Sequence, residues 1–362
     1  MGDWGRWRGR LATVIDKPVP RRRQLGWWPI IGSVVGALLV LGLFVGSAYH
    51  LDYVAYVPGG ATDLRDRITV TGSTNYPPKG QIFLAAVGVT PRLTPFALLQ
   101  VWLDPDSDAK SFAKVYPVGP KDEMQMNLQM MDDSKQVATL VALRYLGRNG
   151  KGEGAKIVEV LKGSPADAKL AVGDTILKIG DHDICVTGDL RSAIQEGDVK
   201  TPVDLTVRSA AGVTRSVVIL PKYEPAAKLR FVGIVANTVR CTLPIDVRVD
   251  TGRIGGPSAG LAMTLSILDR LTPGELTGGV PVAATGTIES DGSVGDVGGV
   301  VQKTAGVKAA GAKLFLVPPG EERDARARAG KLPVVVVHNL AEALAALRRY
   351  GGQSLPSPGA TP

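Results

Sequence analysis

A serine in a glycine-rich turn is the first residue of the sequence that is suited to covalent chemistry. Ser258 lies in the segment GGPSAG, residues 255–260, ahead of leucines at helical spacing. Pro257 fits the first position of a helix, where its missing N–H has no partner to lose, so the pattern predicts Ser258 in the first helical turn. Free N–H groups and the positive end of a helix favour an oxyanion there, which suits a serine nucleophile. The alternative interpretation is a turn of small residues that serves close packing.

A serine nucleophile needs a base, and Lys303 is the preferred one. The segment 294–311 predicts a turn followed by a helix, on which Lys303 shares one face with Val300, Thr304 and Val307. Burial disfavours the charged ammonium, so a lysine on an apolar face can take a serine proton near neutral pH. The alternative is a lysine whose amine reaches solvent from the edge of that face.

The three histidines are weaker choices for the base. His50 lies at the edge of the apolar N-terminal segment, His182 lies in a turn, and His338 follows the predicted buried strand 334–337. His338 is the least unsuitable of them for a serine–histidine pair.

Several short motifs follow one another in an order that resembles the proteolytic domain of Lon-type proteases. They are GPSAG at residues 256–260, TGTI at 285–288, the glycine-rich segment 292–303 that ends at the lysine, and LFLVP at 314–318. The resemblance implies an α/β domain that hydrolyses peptide bonds by a Ser–Lys dyad, with Ser258 as nucleophile and Lys303 as general base. It implies supporting places for Thr285 near the lysine and for Gly256 and Pro257 beside the nucleophile.

The sequence lacks the nucleotide-binding motif of the ATPase module that typical Lon enzymes carry. No G-x-x-x-x-G-K-[ST] segment occurs, so the resemblance implies a protease that does not unfold substrates by ATP hydrolysis. Two other functions stay open: a small-molecule kinase whose glycine-rich turn cradles phosphate, and a non-catalytic membrane-anchored PDZ scaffold. Lon-type domains often form rings, so a homo-oligomer, a hexamer by analogy, is expected.

Short strands and turns between residues 154 and 220 resemble the PDZ domains of bacterial proteases. Strand 155–160 leads into the turn GSPA and the segment LAVGDTILKIG at 170–180, and a short helix and strand 203–208 follow. The resemblance implies a groove in which an extended peptide adds beside strand 155–160. The residues predicted to line this groove are Gly154, Ala155, Ile157 and Val158. The alternative is a PDZ fold that only packs against its neighbour.

The positive charge of the chain is concentrated at its N-terminus. The 362 residues carry a net charge of +8, of which residues 1–25 supply +5 (seven basic minus two acidic side chains). An uncharged apolar stretch, residues 24–51, follows and is long enough to span a bilayer. This pattern argues against a nucleic-acid partner. It predicts a cytoplasmic N-terminus and an extracytoplasmic catalytic domain; a cleaved signal peptide is the alternative.

The predicted fold class is α+β, with a single N-terminal transmembrane helix, a PDZ-like β-rich domain and a Lon-type proteolytic α/β domain. The predicted parts are a basic cytoplasmic segment (1–26), a transmembrane helix (27–51), an extracytoplasmic N-terminal region (52–130), a PDZ-like domain (131–222), a Lon-type domain (223–350) and a disordered tail (351–362). Strand 81–89 is a candidate member of the catalytic sheet. A helix is predicted over 134–146, capped by Asp132, Asp133 or Ser134.

Cys185 and Cys241 fit no zinc spacing. They are expected as two small buried thiols, and a disulfide stays open. The sequence predicts no metal site and no cofactor.

The parts in this order resemble the membrane-anchored, PDZ-containing Lon-like proteases of bacteria. The resemblance implies a serine endopeptidase of the bacterial cell membrane that works without ATP. Its expected partners are unfolded or tail-exposed extracytoplasmic proteins, recruited by the PDZ-like module.

Overall fold

The computed structural model describes residues 27–355, and the predicted basic segment 1–26 and residues 356–362 of the predicted tail lie outside the described residues. The chain divides into two compact units, residues 1–49 and 50–362. In the first unit, helix α1 (Trp28–Ala48) is long and apolar enough to cross a membrane. Buried helices of soluble proteins and signal sequences pass the same test. The helix ends before the predicted residue 51, because Leu51 already belongs to a strand of the second unit.

The second unit begins with long strands and helices that precede the PDZ-like region. They are β1 (Leu51–Asp63), β2 (Ile68–Thr71), β3 (Gln81–Leu93), α2 (Pro95–Leu103), β4 (Asp108–Ser111), α3 (Phe112–Val115) and α4 (Pro120–Tyr145). Helix α4 begins at Pro120, so the residues that were predicted to cap it, Asp132, Asp133 and Ser134, lie inside it. A proline at the first helical position explains the earlier start, since proline there sacrifices no hydrogen bond.

The PDZ-like region forms a sheet of its own. Its elements are β5 (Lys151–Gly152), β6 (Ala155–Val160), β7 (Thr175–Ile179), β8 (His182–Asp183), α5 (Thr187–Gln195), β9 (Val203–Arg208), β10 (Thr214–Ile219), β11 (Lys222–Glu224), β12 (Leu229–Phe231), β13 (Ile234–Thr238) and β14 (Cys241–Thr242). The strand order is β10-β9-β7-β6-β13, with β8 on β7. The sheet therefore continues to Thr238, past the predicted limit at residue 222.

A disulfide joins Cys185 and Cys241 where the chain enters and leaves this region. Strands β5 and β14 pair there, with Cys241 opposite Gly152. The expectation of two free thiols was wrong: the antiparallel pair β5–β14 and the turn before α5 bring the two cysteines together, although they are 56 residues apart.

The last part of the chain alternates strands and helices. Its elements are β15 (Asp246–Val249), α6 (Gly260–Leu271), β16 (Pro281–Ala284), β17 (Thr287–Ile288), β18 (Val294–Gly295), α7 (Val300–Ala309), β19 (Leu314–Val317), α8 (Glu322–Ala329), β20 (Val334–Val336) and α9 (Leu340–Arg349).

One mixed sheet joins the beginning and the end of the second unit. Its order is β20-β19-β16-β3-β1-β4, and β3 runs parallel to β16. Side chains along β3 alternate between the two faces of the sheet. Ile82 and Leu84 enter the core that contains residues of α4 and α6, while Phe83 and Ala85 enter the core that contains residues of α7 and α8. The segments before and after the PDZ-like region therefore contribute strands to the same mixed sheet, and the PDZ-like region is inserted between them in the sequence.

Candidate active site

Ser258 lies in a turn two residues before α6, not in the first turn of that helix as predicted. The helix starts late because the backbone ahead of it bonds to other elements. The Gly256 N–H donates to the Asn127 carbonyl (2.7 Å), and the Ser258 carbonyl accepts from the Gly286 N–H (3.0 Å). Gly256 is suited to its place because its φ of +85° lies in the left-handed region.

Helix α4 holds the other side of this turn. The Ser134 hydroxyl donates to the Pro257 carbonyl (3.1 Å). A Cβ on Gly255 would lie 2.9 Å from the Asn127 Cβ, so only glycine allows the turn and the helix to approach this closely. The predicted supporting residues Gly256 and Pro257 therefore contribute backbone contacts that fix the position of the serine.

Lys303 points into the protein interior from α7, which shows that the interpretation of a solvent-reaching lysine was wrong. The side chain is 2% exposed. Its amine donates to the Thr285 hydroxyl (3.1 Å), and that hydroxyl donates to the Ser258 carbonyl (3.2 Å). The structure thus connects the three predicted residues by side-chain and backbone hydrogen bonds. No hydrogen bond joins Lys303 Nζ to Ser258 Oγ within residues 27–355.

The surroundings of Lys303 make its amine easier to deprotonate than that of an exposed lysine. Burial lowers the pKa of Lys303 from 10.5 to about 8, and the nearby Glu321 carboxylate raises it. Glu321 lies just before α8 and accepts the Val297 N–H at 3.3 Å. Burial also raises the pKa of Glu321. An amine with a pKa near 8 is suited to exchange protons at neutral pH.

Three contributors to this site were missed by the sequence reasoning. Asn127 and Ser134 come from α4, more than a hundred residues before the serine, and no motif connects them with the turn. Glu321 follows the LFLVP strand closely, and its position after a strand end was the one signal that could have drawn attention to it.

The histidines take other places. His338 is exposed, and its Nδ1 lies 2.8 Å from Glu342 Oε2. His182 is exposed in β8, and His50 is exposed before β1. Within the described residues, none of the three forms a hydrogen bond with Ser258.

The prediction of a peptide groove beside strand 155–160 was wrong, because this strand already pairs with other strands of the sheet on both sides. Strand β13 pairs with β6 from Thr238 opposite Ala155 to Ile234 opposite Val160. On the other side, Ala155 pairs with Ile176, and Ile157 donates its N–H to Asp174. Of the four residues predicted to line the groove, Ala155 and Ile157 are fully buried, Gly154 packs against the Ile176 backbone, and Val158 is exposed. The outer strand of this part of the sheet is β13.

Two family models match the chain. The model of the PDZ domain matches residues 123–215, and that of the Lon protease (S16) C-terminal proteolytic domain matches residues 233–347. No curated protein matches the chain.

Solved structures that resemble the chain cover only part of it. Two are PDZ domains of SdrC-like proteins, from Listeria innocua and Listeria monocytogenes. Each is 18% identical and covers 23% of this chain with a TM-score of 0.22, and the matches cover 93% and 87% of those chains. A structure from Geobacillus thermodenitrificans is 23% identical and covers 20% of this chain and 84% of its own, with a TM-score of 0.18.

The Lon match includes Ser258, Thr285 and Lys303, and it ends within α9, the last helix of the described chain. Together the two domains indicate peptide or protein substrates. The chain therefore contains a PDZ domain and a proteolytic domain of the Lon (S16) type, and these two domains support a protease with a PDZ module.

Proposed function

We propose that the chain is a membrane-anchored serine endopeptidase in which Ser258 is the nucleophile and Lys303 the general base. The observation that supports this most is the buried amine of Lys303, with a pKa lowered to about 8, which is linked through Thr285 to the backbone of Ser258. A buried lysine without an ion-pair partner is costly to keep charged, so a role as a neutral base explains its position.

In the first step, the neutral amine takes the Ser258 hydroxyl proton while Oγ forms a bond to the scissile carbonyl carbon. The carbonyl π electrons move to the oxygen and create an oxyanion. Thr285 positions the amine by accepting one of its hydrogens, which leaves the nitrogen lone pair available. Hydrogen bonds of this kind often tighten only when substrate is bound, so the amine is expected to turn toward Ser258 Oγ in the complex.

The oxyanion needs hydrogen-bond donors close to the serine. The N–H groups of Ser258 and Ala259 make no backbone hydrogen bond within residues 27–355, and the positive end of α6 follows them. Donors that are already oriented before reaction stabilise the developing negative charge without further reorganisation. We assign the oxyanion to these two groups.

Collapse of the tetrahedral intermediate breaks the C–N bond, and the leaving amine receives the proton from the Lys303 ammonium. The acyl-enzyme on Ser258 is then hydrolysed by water, with Lys303 again acting as base. The sequence contains no G-x-x-x-x-G-K-[ST] motif, so we propose that the enzyme works without hydrolysing ATP itself. Its substrates must therefore be extended or already unfolded polypeptides.

The PDZ domain recruits such segments at the outer edge of β13. An extended peptide can pair with this strand because the sheet ends there, and α5 lies alongside. The Thr187 N–H at the start of α5 donates to the Thr238 hydroxyl (3.0 Å), which holds the helix against one end of the strand. At the other end of α5, the Gln195 side chain exchanges hydrogen bonds with the backbone of Arg230 in β12.

We further propose that α1 anchors the enzyme in the bacterial cell membrane, with the N-terminus in the cytoplasm and residues after 50 outside it. The concentration of positive charge before the helix and the disulfide after it support this orientation. A hexameric ring remains the expected assembly by analogy with other Lon-type domains.

The dyad is tested by Ser258→Ala and Lys303→Ala in the full chain, purified in detergent. Each variant should lose at least ~10³-fold in the rate of cleavage of an unfolded protein, because removal of either member stops formation of the acyl-enzyme. Serine-directed covalent probes should label the native chain and fail to label Ser258→Ala.

Ser111→Ala and Lys308→Ala are the matched controls. Ser111 is an exposed serine. Lys308 lies on the same helix as Lys303, and its amine donates a hydrogen bond to the Arg328 carbonyl. Full activity in folded Ser258→Ala or Lys303→Ala protein would refute the dyad. Peptide binding without any cleavage by the native chain would favour a non-catalytic scaffold.

The peptide site is tested with a photo-crosslinking residue placed at Val235 of β13 or at Val158 of β6. The two side chains are similarly exposed, at 44% and 43%, so exposure alone cannot explain a difference. We expect a bound extended peptide to crosslink from position 235 and not from 158. Crosslinking from position 158 and not from 235 would contradict this proposal and support a peptide site beside β6.

A further inference from the structure

Helix α2 presents a row of large apolar side chains to the solvent. Phe96, Leu99, Trp102 and Leu103 are exposed by 42%, 49%, 69% and 75%, and we call them the outer face of α2. The opposite face is anchored in the protein, where Leu98 and Val101 pack with residues that include Ala55 of β1 and Leu93 of β3.

The outer face differs from an ordinary protein surface in its composition. The nine residues of α2 contain no charged side chain, and Gln100 is the one polar residue among them. Contiguous exposed apolar patches of this kind are uncommon on soluble proteins and mark surfaces that bind another apolar surface.

The position of α2 in the fold indicates which surface that is. Leu51, the first residue of β1, pairs with Leu93, and Thr94 then caps the start of α2. Only three peptide steps separate Ala48, the last residue of α1, from Leu51. They span roughly 10 Å at most. If α1 crosses the bilayer, the chain length holds the start of α2 close to the membrane surface.

We infer that the outer face of α2 inserts into the interfacial layer of the membrane in which α1 is anchored. The inference rests on the proposed membrane anchor and goes beyond it, because it assigns a second lipid contact to the folded part of the chain. Tryptophan favours the interface between headgroups and acyl chains, and leucine and phenylalanine favour the acyl region below it. The N-capped start of α2 is fixed by the β1–β3 pairing, so the helix can present this face without rearrangement.

The insertion of Trp102 is tested by fluorescence in the full chain. The sequence has five tryptophans, and four of them, Trp4, Trp7, Trp27 and Trp28, lie at or before residue 28. Their replacement by phenylalanine leaves Trp102 as the single emitter. The protein is reconstituted in phosphatidylcholine vesicles with and without bromine on the acyl chains. We expect a blue-shifted emission that loses most of its intensity in the brominated vesicles.

The control carries Trp102→Phe and Val172→Trp in the same background. Val172 is 62% exposed in a turn of the PDZ region, and a tryptophan there should emit as in water and keep its intensity in brominated lipid. Water-like, unquenched emission from Trp102 would overturn the inference. Blue-shifted emission without quenching would also overturn it and would indicate that protein, such as a second copy, covers the helix.

Flotation of the same vesicles separates this inference from the proposals on which it rests. Protein that does not float with the vesicles overturns the anchor together with the inference. Protein that floats with an unquenched Trp102 overturns only the inference. Cleavage activity, measured on the same preparation, depends on the dyad and not on α2.

Discussion

Lys303 and Glu321 show how individual residues receive their properties from the fold. Within the described part of the chain, the lysine amine hydrogen-bonds to one side chain, the neutral Thr285 hydroxyl, and burial is the largest influence on its pKa. Glu321 acts in the opposite direction and keeps that pKa higher than burial alone would. Together, burial and Glu321 place the titration of Lys303, the proposed base, near the working pH of most enzymes.

The pH dependence of cleavage should report this balance. With a pKa of about 8 for Lys303, roughly a tenth of the amine is neutral at pH 7, so the rate should rise through pH 8 and then level off. Glu321→Gln removes the charge that raises the lysine pKa, so the midpoint should move to lower pH. The measurement is the pH profile of kcat/KM on a peptide substrate.

Glu322→Gln is the matched control for this shift. Glu322 is the next residue, and its carboxylate pairs with Arg326 instead. A midpoint that is the same in native protein, Glu321→Gln and Glu322→Gln would mean that Lys303 is not the titrating group.

Asp269 is a buried carboxylate with a structural role near the end of α6. It is 2% exposed, and its Oδ1 accepts the Leu276 N–H at 2.8 Å. Burial raises its pKa from 3.8 to about 6. The folded state therefore binds the proton more tightly than the unfolded state, and stability due to this group falls as the pH rises from about 4 to about 6.

Asp269→Asn should remove this pH dependence. The free energy of unfolding of the variant, relative to that of the native protein, should increase by about 2 kcal/mol between pH 4 and pH 7, since each unit of the pKa difference corresponds to about 1.4 kcal/mol and a small part of the effect lies below pH 4. The comparison holds even if the amide changes the stability by a constant amount. Denaturant unfolding in detergent at several pH values measures it, with the exposed Asp324→Asn as control. A pH-independent difference would contradict the assignment.

At the scale of elements, the sequence indicated several strands and helices correctly but not their contacts. The segments that became β6, β9 and β20 follow the predictions closely, because burial of strand residues leaves a direct pattern in the sequence. Helix α4 is longer than the predicted helix 134–146. The predicted part contains the buried residues around Val141, which give the apolar pattern. Residues 120–130 are exposed or half-buried, so they leave no such pattern.

The start of α6 illustrates a limit of local reasoning. GGPSAG suits a helix that begins at Pro257, yet the helix begins at Gly260 because the preceding carbonyls are bonded by Ser134 and Gly286. A Cβ at Gly260 would lie 2.7 Å from the Ile288 nitrogen. The glycine is thus required by a strand that is distant in sequence, and no propensity rule reveals it.

The PDZ sheet shows the same limit for strand pairing. The sequence pattern located strand 155–160 but not its neighbours. Strand β13 comes after the predicted end of the domain and fills the edge that the sequence had suggested for a peptide. Pairing between strands far apart in the chain is fixed by the whole sheet, so the open edge was decided by the tertiary structure.

At the scale of the whole second unit, several contacts connect the PDZ domain with the proteolytic domain, and two of them are central. One is the neck formed by β5, β14 and the disulfide, which packs against Leu140 of α4. The other is Arg144 of α4, which makes two hydrogen bonds to Asp189 of α5 (2.7 and 2.9 Å) and one to the Ser290 carbonyl (3.1 Å).

Loss of the disulfide should destabilise the chain. The double variant Cys185→Ala, Cys241→Ala should lower the free energy of unfolding by about 2–4 kcal/mol, because the crosslink restricts the unfolded chain. A reducing agent should lower the denaturation midpoint of the native protein and leave that of the double variant unchanged. Equal midpoints for native and double-variant protein would show that the crosslink contributes no stability.

The sequence alone indicated the candidate chemistry of the protein: a serine at the start of a helix, a lysine on an apolar helix face, a PDZ-like region and an apolar N-terminal segment. These features follow from residue types at short spacing, which local periodicity and the resemblance to known families make visible. The tertiary structure decided the disulfide, the occupied edge of β6, the contacts of Asn127 and Ser134 with the serine turn, and the influence of Glu321 on Lys303. Each of these depends on residues that are distant in sequence, and only the packing of sheets and helices determines how such residues meet.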